Sequence, residues 1–539
     1  MKLRFFSILI LLVSLTNAFA GQGVLYYKSG IFDVAKGLLQ QEFISGNKAE
    51  ASYYLGNISF LENKKDSAKY YFNEGLKANP LYSQNAIGIL MLDMNGMDPK
   101  FVDESLTKII KDKINKKNIA IPIAASYAFL FNNNIEKANI YLEKARSINS
   151  KSPDLFLLKG DIVAISNLGD AAANYETAIL YDSNCKEAYF KYAKVYKNMN
   201  PKQAIEKLMA LKKISPEFHI IYRELGDIYY ATNDFANAAK SYELYLNSGN
   251  ITNVSDLTKY SMTLFLNLEF AKSLEVAKLG LQKSAKNPAF NRLSMYNYVD
   301  MKNTDEALKA ADLFFNQSEN PDFTYLDFRY YGQALKDAKK FDLAVKQYQK
   351  ALEYDESKVE LWKDISDMYS EIDSFTNAIS AYKKYISLIP EKQQASADVQ
   401  IALGKLYYNQ GNDTTITAEV KKTAFLNADS VFAAVAVIEP DVYRANFWRA
   451  RANAALDPET TLGLAKPYYE QTVAIVEPKN DPRFNAVLIE CYSYLGYYTL
   501  LQKDNAGSLM FWNKILVLNP DNVTAKKAIA GIQAPKKKK

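Results

Sequence analysis

The chain has 539 residues, 48% of them apolar and 23% charged, a length beyond one ordinary globular domain and a balance that excludes a disordered polymer. Its net charge of +6 sits at the ends: Lys2, Arg4 and the four lysines at 536–539 account for all of it. The neutral body between them lacks the basic footprint of a nucleic-acid-binding protein.

The first residues read MKLRFFSILILLVSLTNAFA. Lys2 and Arg4 form a basic start, residues 5–15 an apolar stretch, and Ala18-Phe19-Ala20 a small-x-small cleavage pattern, which together describe a secretory signal peptide over residues 1–20. The exported chain is expected to begin at Gly21 and to be soluble in a bacterial periplasm. No later segment approaches eighteen uninterrupted apolar residues, so no transmembrane segment is expected once the signal is removed. Gly21 also stands where a lipoprotein would need cysteine. Cys185 and Cys491 are far apart in sequence and read as unpaired buried thiols.

From Tyr26 onward, apolar residues recur at three- and four-residue steps, interrupted by short polar breaks, the pattern of paired amphipathic helices. YYKSGIFDVAKGLLQQ reads as a partial first unit within residues 21–48. In the next stretch, Gly56 is followed after twelve residues by Ala68, then by Phe72, Gly75 and Pro80. The same intervals join Gly226, Ala238, Tyr242 and Tyr245; then Gly332, Ala344, Tyr348 and Ala351; then Ser366, Ala378, Tyr382, Tyr385 and Pro390. Weaker copies fill residues 49–400. A C-terminal array over residues 401–533 begins with Leu403, Gly404 and Tyr407. There GNDTTITAEVKK, residues 411–422, reads as a loop insertion that delays the second helix. VTAKKAIAGIQ reads as a capping helix, and residues 534–539 as a basic disordered tail.

These residues resemble the tetratricopeptide repeat, a helical hairpin of about 34 residues. The resemblance implies an all-α fold, a right-handed α-solenoid of stacked antiparallel hairpins wound into a superhelix. The physical logic stands beside the name. Glycine inside a helix costs roughly 1 kcal/mol relative to alanine, and close approach of a partner ring such as Tyr242 offsets it. One hairpin cannot bury its apolar face alone, so neighbours must stack.

Catalysis finds little material. His219 is the one histidine and reads as a packing residue, and no CxxC, HExxH, GxGxxG or Walker-type loop occurs. No enzyme activity, cofactor or metal is expected. The resemblance instead implies that first helices line an inner, concave face that binds partners. Positions at i, i+4 and i+7 beside the packing stripe share one helix face. They are Tyr53, Asn57 and Phe60; Arg223, Asp227 and Tyr230; Arg329, Gln333 and Lys336; Lys363, Asp367 and Ser370; and Ile401, Lys405 and Tyr408. This face mixes charge with aromatics, the side chains that anchor interfaces. Asp227, next to Gly226, is read as open. The family's carboxylate clamp for chaperone tails is not met, because Tyr53 stands where lysine is wanted and Asp227 where asparagine is.

The leading expectation is a non-catalytic periplasmic scaffold that holds an envelope protein or peptide segment. The alternative is a carbohydrate-binding helical-repeat protein of the envelope, motivated by the 39 tyrosines. Oligomeric state is left open.

Overall fold

The structure, a computed structural model, describes residues 21–248 and 253–534. The expected signal peptide and the terminal lysines lie outside the described residues. Among the described residues, regular structure is helical throughout, from Gln22–Lys28 to Val523–Gln533, with no strand. No helix among them is long and apolar enough to cross a membrane.

The chain forms two compact units, Met1–Glu269 and Phe270–Lys539. Within each, consecutive helices pair as antiparallel hairpins and each hairpin stacks on the next. In the N-terminal unit Lys48–Leu61 packs on Lys65–Ala78, Pro153–Val163 on Leu168–Tyr181, and Ile220–Ala231 on Phe235–Asn247. In the C-terminal unit the pairs include Tyr325–Asp337 with Phe341–Tyr354 and Glu360–Glu371 with Phe375–Leu388. The fold is all-α, with each unit an α-solenoid of such hairpins.

The crossing inside a hairpin follows from one small residue. A Cβ built on Gly226 would lie 2.9 Å from Cε1 and Cζ of Tyr242, whose ring fills that space and is fully buried. Any larger residue must displace the ring. Where serine takes the glycine position, its hydroxyl finds a use. Ser126 Oγ donates to the Ala138 carbonyl at 2.7 Å and Ser366 Oγ to the Ala378 carbonyl at 2.8 Å.

Several of the turns between paired helices contain a left-handed residue. Asn63, Asn133 and Asn233 each have φ near 59°, a region asparagine tolerates better than most residues. In one of these turns the N–H groups of Asn233 and Asp234 return to the carbonyls of Tyr230 and Tyr229 at 3.1 and 2.8 Å. Those bonds satisfy the last carbonyls of the first helix and reverse the chain.

Residues 411–422 differ from the expected loop. The first helix of this hairpin, Ala397–Asn412, runs through Gly411, and the second, Ala418–Ile438, begins well before Ala428. The cause is a second glycine crossing: a Cβ at Gly411 would lie 2.6 Å from Cε1 of Phe425, just as Phe432 covers Gly404. The hairpin is longer, and only a tight turn separates its helices. Both cysteines are free and buried.

Candidate interaction face

In the N-terminal unit the first helices of successive hairpins share one face, and the short helix Gln22–Lys28 lies against it. Tyr26 meets the edge of Phe218 with ring centroids 4.7 Å apart, and Tyr27 lies 4.7 Å from Tyr54. Lys28 Nζ pairs with Asp154 at 2.9 Å. Burial opposes the charge on Lys28, yet Asp154 and Glu187 together outweigh that cost and the lysine pKa is raised.

Beside this helix is a cavity of about 150 Å³ lined by Tyr27, Tyr53, Tyr54, Asn57, Tyr127 and Phe131, together with Asp161 and Lys191. Asp161 is the polar hub. It accepts from Tyr127 Oη at 2.6 Å, Tyr175 Oη at 2.8 Å and Lys191 Nζ at 2.5 Å. Burial pushes the Tyr53 hydroxyl up to about 12 and raises those of Tyr27, Tyr54 and Tyr127 as well. These phenols stay protonated and act as hydrogen-bonding walls.

The residues of the expected face separate into distinct environments, and Ile401 is not on it at all but buried in the core. Tyr53 and Asn57 are buried beside the N-terminal helix, and Phe60 packs against the core. Arg223 is mostly buried, near Glu224 at 3.6 Å and Asp256 at 3.9 Å. Asp227 is not open: it receives Tyr242 Oη at 2.5 Å and Lys259 Nζ at 2.9 Å. Together with Tyr230, Lys197, Lys259 and Met262 it lines a recess of about 410 Å³.

In the C-terminal unit Arg329 and Gln333 line a cleft of about 510 Å³ with Asp300, Tyr330 and Asp337. Tyr330 Oη donates to Asp300 at 3.0 Å. Burial raises the Asp300 pKa, opposed by that bond and by Arg329. Lys336 reaches Asp364 at 3.4 Å. Lys363 and Asp367 are exposed. Lys405 and Tyr408 do converge, on Trp448 of the next hairpin: Lys405 Nζ is 4.9 Å from its ring centroid and the Tyr408 ring 5.3 Å away. Arg451 sits 4.7 Å above the same indole and is clamped by Glu490 through bonds of 2.8 and 2.6 Å.

Trp448, Arg451, Asp161 and Lys191 escaped the sequence reading. Asp161 carried a usable signal, since it directly follows Gly160 as Asp227 follows Gly226. Trp448 carried none, because its helix, Tyr443–Leu456, contains no glycine to set a register. No group of acidic, histidine or cysteine side chains among the described residues is arranged to hold a metal ion.

Glycine-crossed hairpins stacked in register, with polar and aromatic side chains gathered along their first helices, define a helical-hairpin repeat protein. The chain is a tetratricopeptide repeat protein, and its residues 187–217 and 331–358 match models of that repeat. Among solved structures it is similar to the C-terminal part of a TPR repeat-containing protein from Cytophaga hutchinsonii. The identity is 29%, over 50% of this chain and 99% of that one, with a TM-score of 0.41. It is also similar to PilF of Pseudomonas aeruginosa (18% identity, 37% of this chain and 93% of that one, TM-score 0.31). A third is PilW, described as a type IV pilus biogenesis factor (16% identity, 37% and 93%, TM-score 0.31). No curated protein matches the chain. Tetratricopeptide repeats bind protein partners, and their fold is typically a non-catalytic interaction scaffold.

Proposed function

We propose that this protein is a non-catalytic scaffold of the bacterial periplasm that holds an extended segment or docked helix of an envelope protein on its first-helix faces. The observation that carries this reading is the patch formed by Lys405, Tyr408, Trp448 and Arg451. Two successive hairpins contribute to it, and it joins the three residue types that dominate binding hot spots, Trp, Tyr and Arg. Its indole is partly exposed with cations on it, and Glu490 fixes Arg451 in place, so little side-chain freedom is lost on docking. The recess at Asp227, Tyr230 and Lys259 offers a second contact of mixed charge.

The test is capture of proteins from an envelope extract with the exported chain and with its Trp448→Ala/Lys405→Glu variant. A partner retained by the first and lost by the second supports the reading. The same set retained by both would overturn the assignment of the patch. Sugar recognition is the second reading, favoured by the tyrosine-lined cavity beside helix Gln22–Lys28. A glycan array that binds the chain while no envelope protein does would select it.

A further inference from the structure

Glu42 stands where a carboxylate does not belong. It lies on helix Phe32–Ser45 in line with Ala35 and Leu39, the buried stripe of that helix, and is itself only 4% exposed. Gly23 N–H donates to its Oε1 at 3.0 Å, while Oε2 is buried without a hydrogen-bond partner. No lysine, arginine or histidine among the described residues pairs with it. The charged side chain that acts on it is another carboxylate, Glu50, and burial raises its pKa. A buried carboxylate of this kind needs a cation or loses its charge.

One nitrogen is in place to supply that cation. Gly21 caps helix Gln22–Lys28 two residues before Gly23, whose N–H holds the Glu42 carboxyl, so its nitrogen belongs to the same turn. Its position is set by Gly23, where a Cβ would press on the Leu39 side chain at 2.8 Å and backbone at 3.0 Å, so the two helices touch closely. In the chain as translated this nitrogen is a neutral amide. Ala18-Phe19-Ala20 directly precedes it in sequence, the small-x-small pattern after which a signal peptidase cuts.

We propose that the α-ammonium of Gly21, created by removal of residues 1–20, is the missing partner of Glu42. Hydrolysis of the Ala20–Gly21 amide by the peptidase adds one water: Ala20 departs as a carboxylate and Gly21 keeps the nitrogen as a protonated amine. The new ammonium pairs with Oε2 and pins helix Gln22–Lys28 to its hairpin. That helix carries Tyr26, Tyr27 and Lys28 to Phe218, Tyr54 and Asp154, so processing completes the wall of the tyrosine cavity. The proposal rests on the export reading, and its test separates the two.

The mass and N-terminal sequence of the chain recovered from the envelope fraction report the cleavage alone; an unprocessed chain retained in the cytosol overturns both ideas, and an exported chain starting at any residue other than Gly21 overturns the capture alone. The capture is read from a cycle of four forms: free or acetylated Gly21 amine, each with Glu42 or Glu42→Gln. Acetylation is expected to lower the melting temperature by roughly 4–10 °C with Glu42 present, and to do little with Gln. Equal shifts in both backgrounds, with cleavage confirmed, sink the capture and leave export standing. Should Glu42→Gln fail to fold, the unsubstituted chain still decides. With its α-amine ¹³C-methylated, the amine should titrate above the ordinary range of about 7.7–8.0, and titration within that range refutes the pair.

Discussion

The Tyr242 hydroxyl donates to Asp227 at 2.5 Å, and Asp227 directly follows the glycine that the Tyr242 ring covers. The relation recurs. Tyr175 covers Gly160 and donates to Asp161 at 2.8 Å; Tyr348 covers Gly332 and donates to Gln333 at 3.2 Å. Where the covering ring is Phe72, the residue after Gly56 is Asn57, and its Oδ1 has no partner. Where it is Phe432, the residue after Gly404 is Lys405, which turns to Trp448 instead. Where the covering ring is a tyrosine, the position after the glycine therefore serves the hairpin's own ring before it serves a partner.

A double-mutant cycle tests this. Asp227→Ala strands the buried Tyr242 hydroxyl and should cost about 1–3 kcal/mol in urea unfolding. In a Tyr242→Phe background the hydroxyl is gone and the same change should cost under about 1 kcal/mol, since the remaining pair with Lys259 is partly exposed. Gly226→Leu should cost about 1–3 kcal/mol in either background through overpacking. An Asp227→Ala cost that ignores residue 242 contradicts the pairing.

The converse substitutions probe the phenylalanine hairpins. Phe72→Tyr places a hydroxyl toward Asn57, whose Oδ1 is buried and only 2% of the residue exposed. A new bond there should leave stability unchanged or raise it by up to about 1 kcal/mol. Phe432→Tyr meets an outward lysine and leaves its hydroxyl unpaired, for a loss of about 1–3 kcal/mol. Chemical denaturation of the two variants side by side reads the difference in sign.

The hairpin register was legible in the sequence because it is local: Gly226 and Tyr242, or Ser366 and Ala378, lie within one hairpin and repeat at fixed intervals. The same periodicity places Asp227 on the helix surface but says nothing of a hydroxyl arriving from the second helix. Pairing the residue after glycine with the covering ring, Tyr with Asp or Gln, was present in the sequence as an unread correlation. The N-terminal helix was illegible for another reason. Lys28 meets Asp154 and Tyr26 meets Phe218 across several hairpins, and contacts so distant leave no trace in a periodic pattern. Residues 411–422 misled because their polar composition masks the Gly411–Phe425 crossing.

Alkaline pH should weaken the N-terminal unit through its tyrosines. Burial pushes Tyr26, Tyr53 and Tyr245 up to about 12, whereas an unfolded tyrosine ionises near about 10. Between these values the unfolded chain has released protons that the folded chain retains, so stability falls as pH rises. Their contribution is complete below about pH 10 and is lost on the way to about pH 12. Urea midpoints measured from pH 8 to 11 should show the decline, and Tyr53→Phe should make it shallower. A midpoint flat to pH 11 would contradict the burial of these phenols.

The N-terminal helix is held by its ring more than by its charge. Lys28 and Asp154 are a third or more exposed, and an ion pair so placed contributes about 0–1 kcal/mol. Tyr26 is buried edge-on against Phe218, and truncating a buried aromatic ring costs about 3–5 kcal/mol. Tyr26→Ala should thus destabilise the unit severely and open the cavity, while Lys28→Ala should barely move the unfolding midpoint. Amide hydrogen exchange locates the effect: protection in Gln22–Lys28 should collapse in the first variant and persist in the second. Equal losses from both would mean that the ion pair, not the ring, seats the helix.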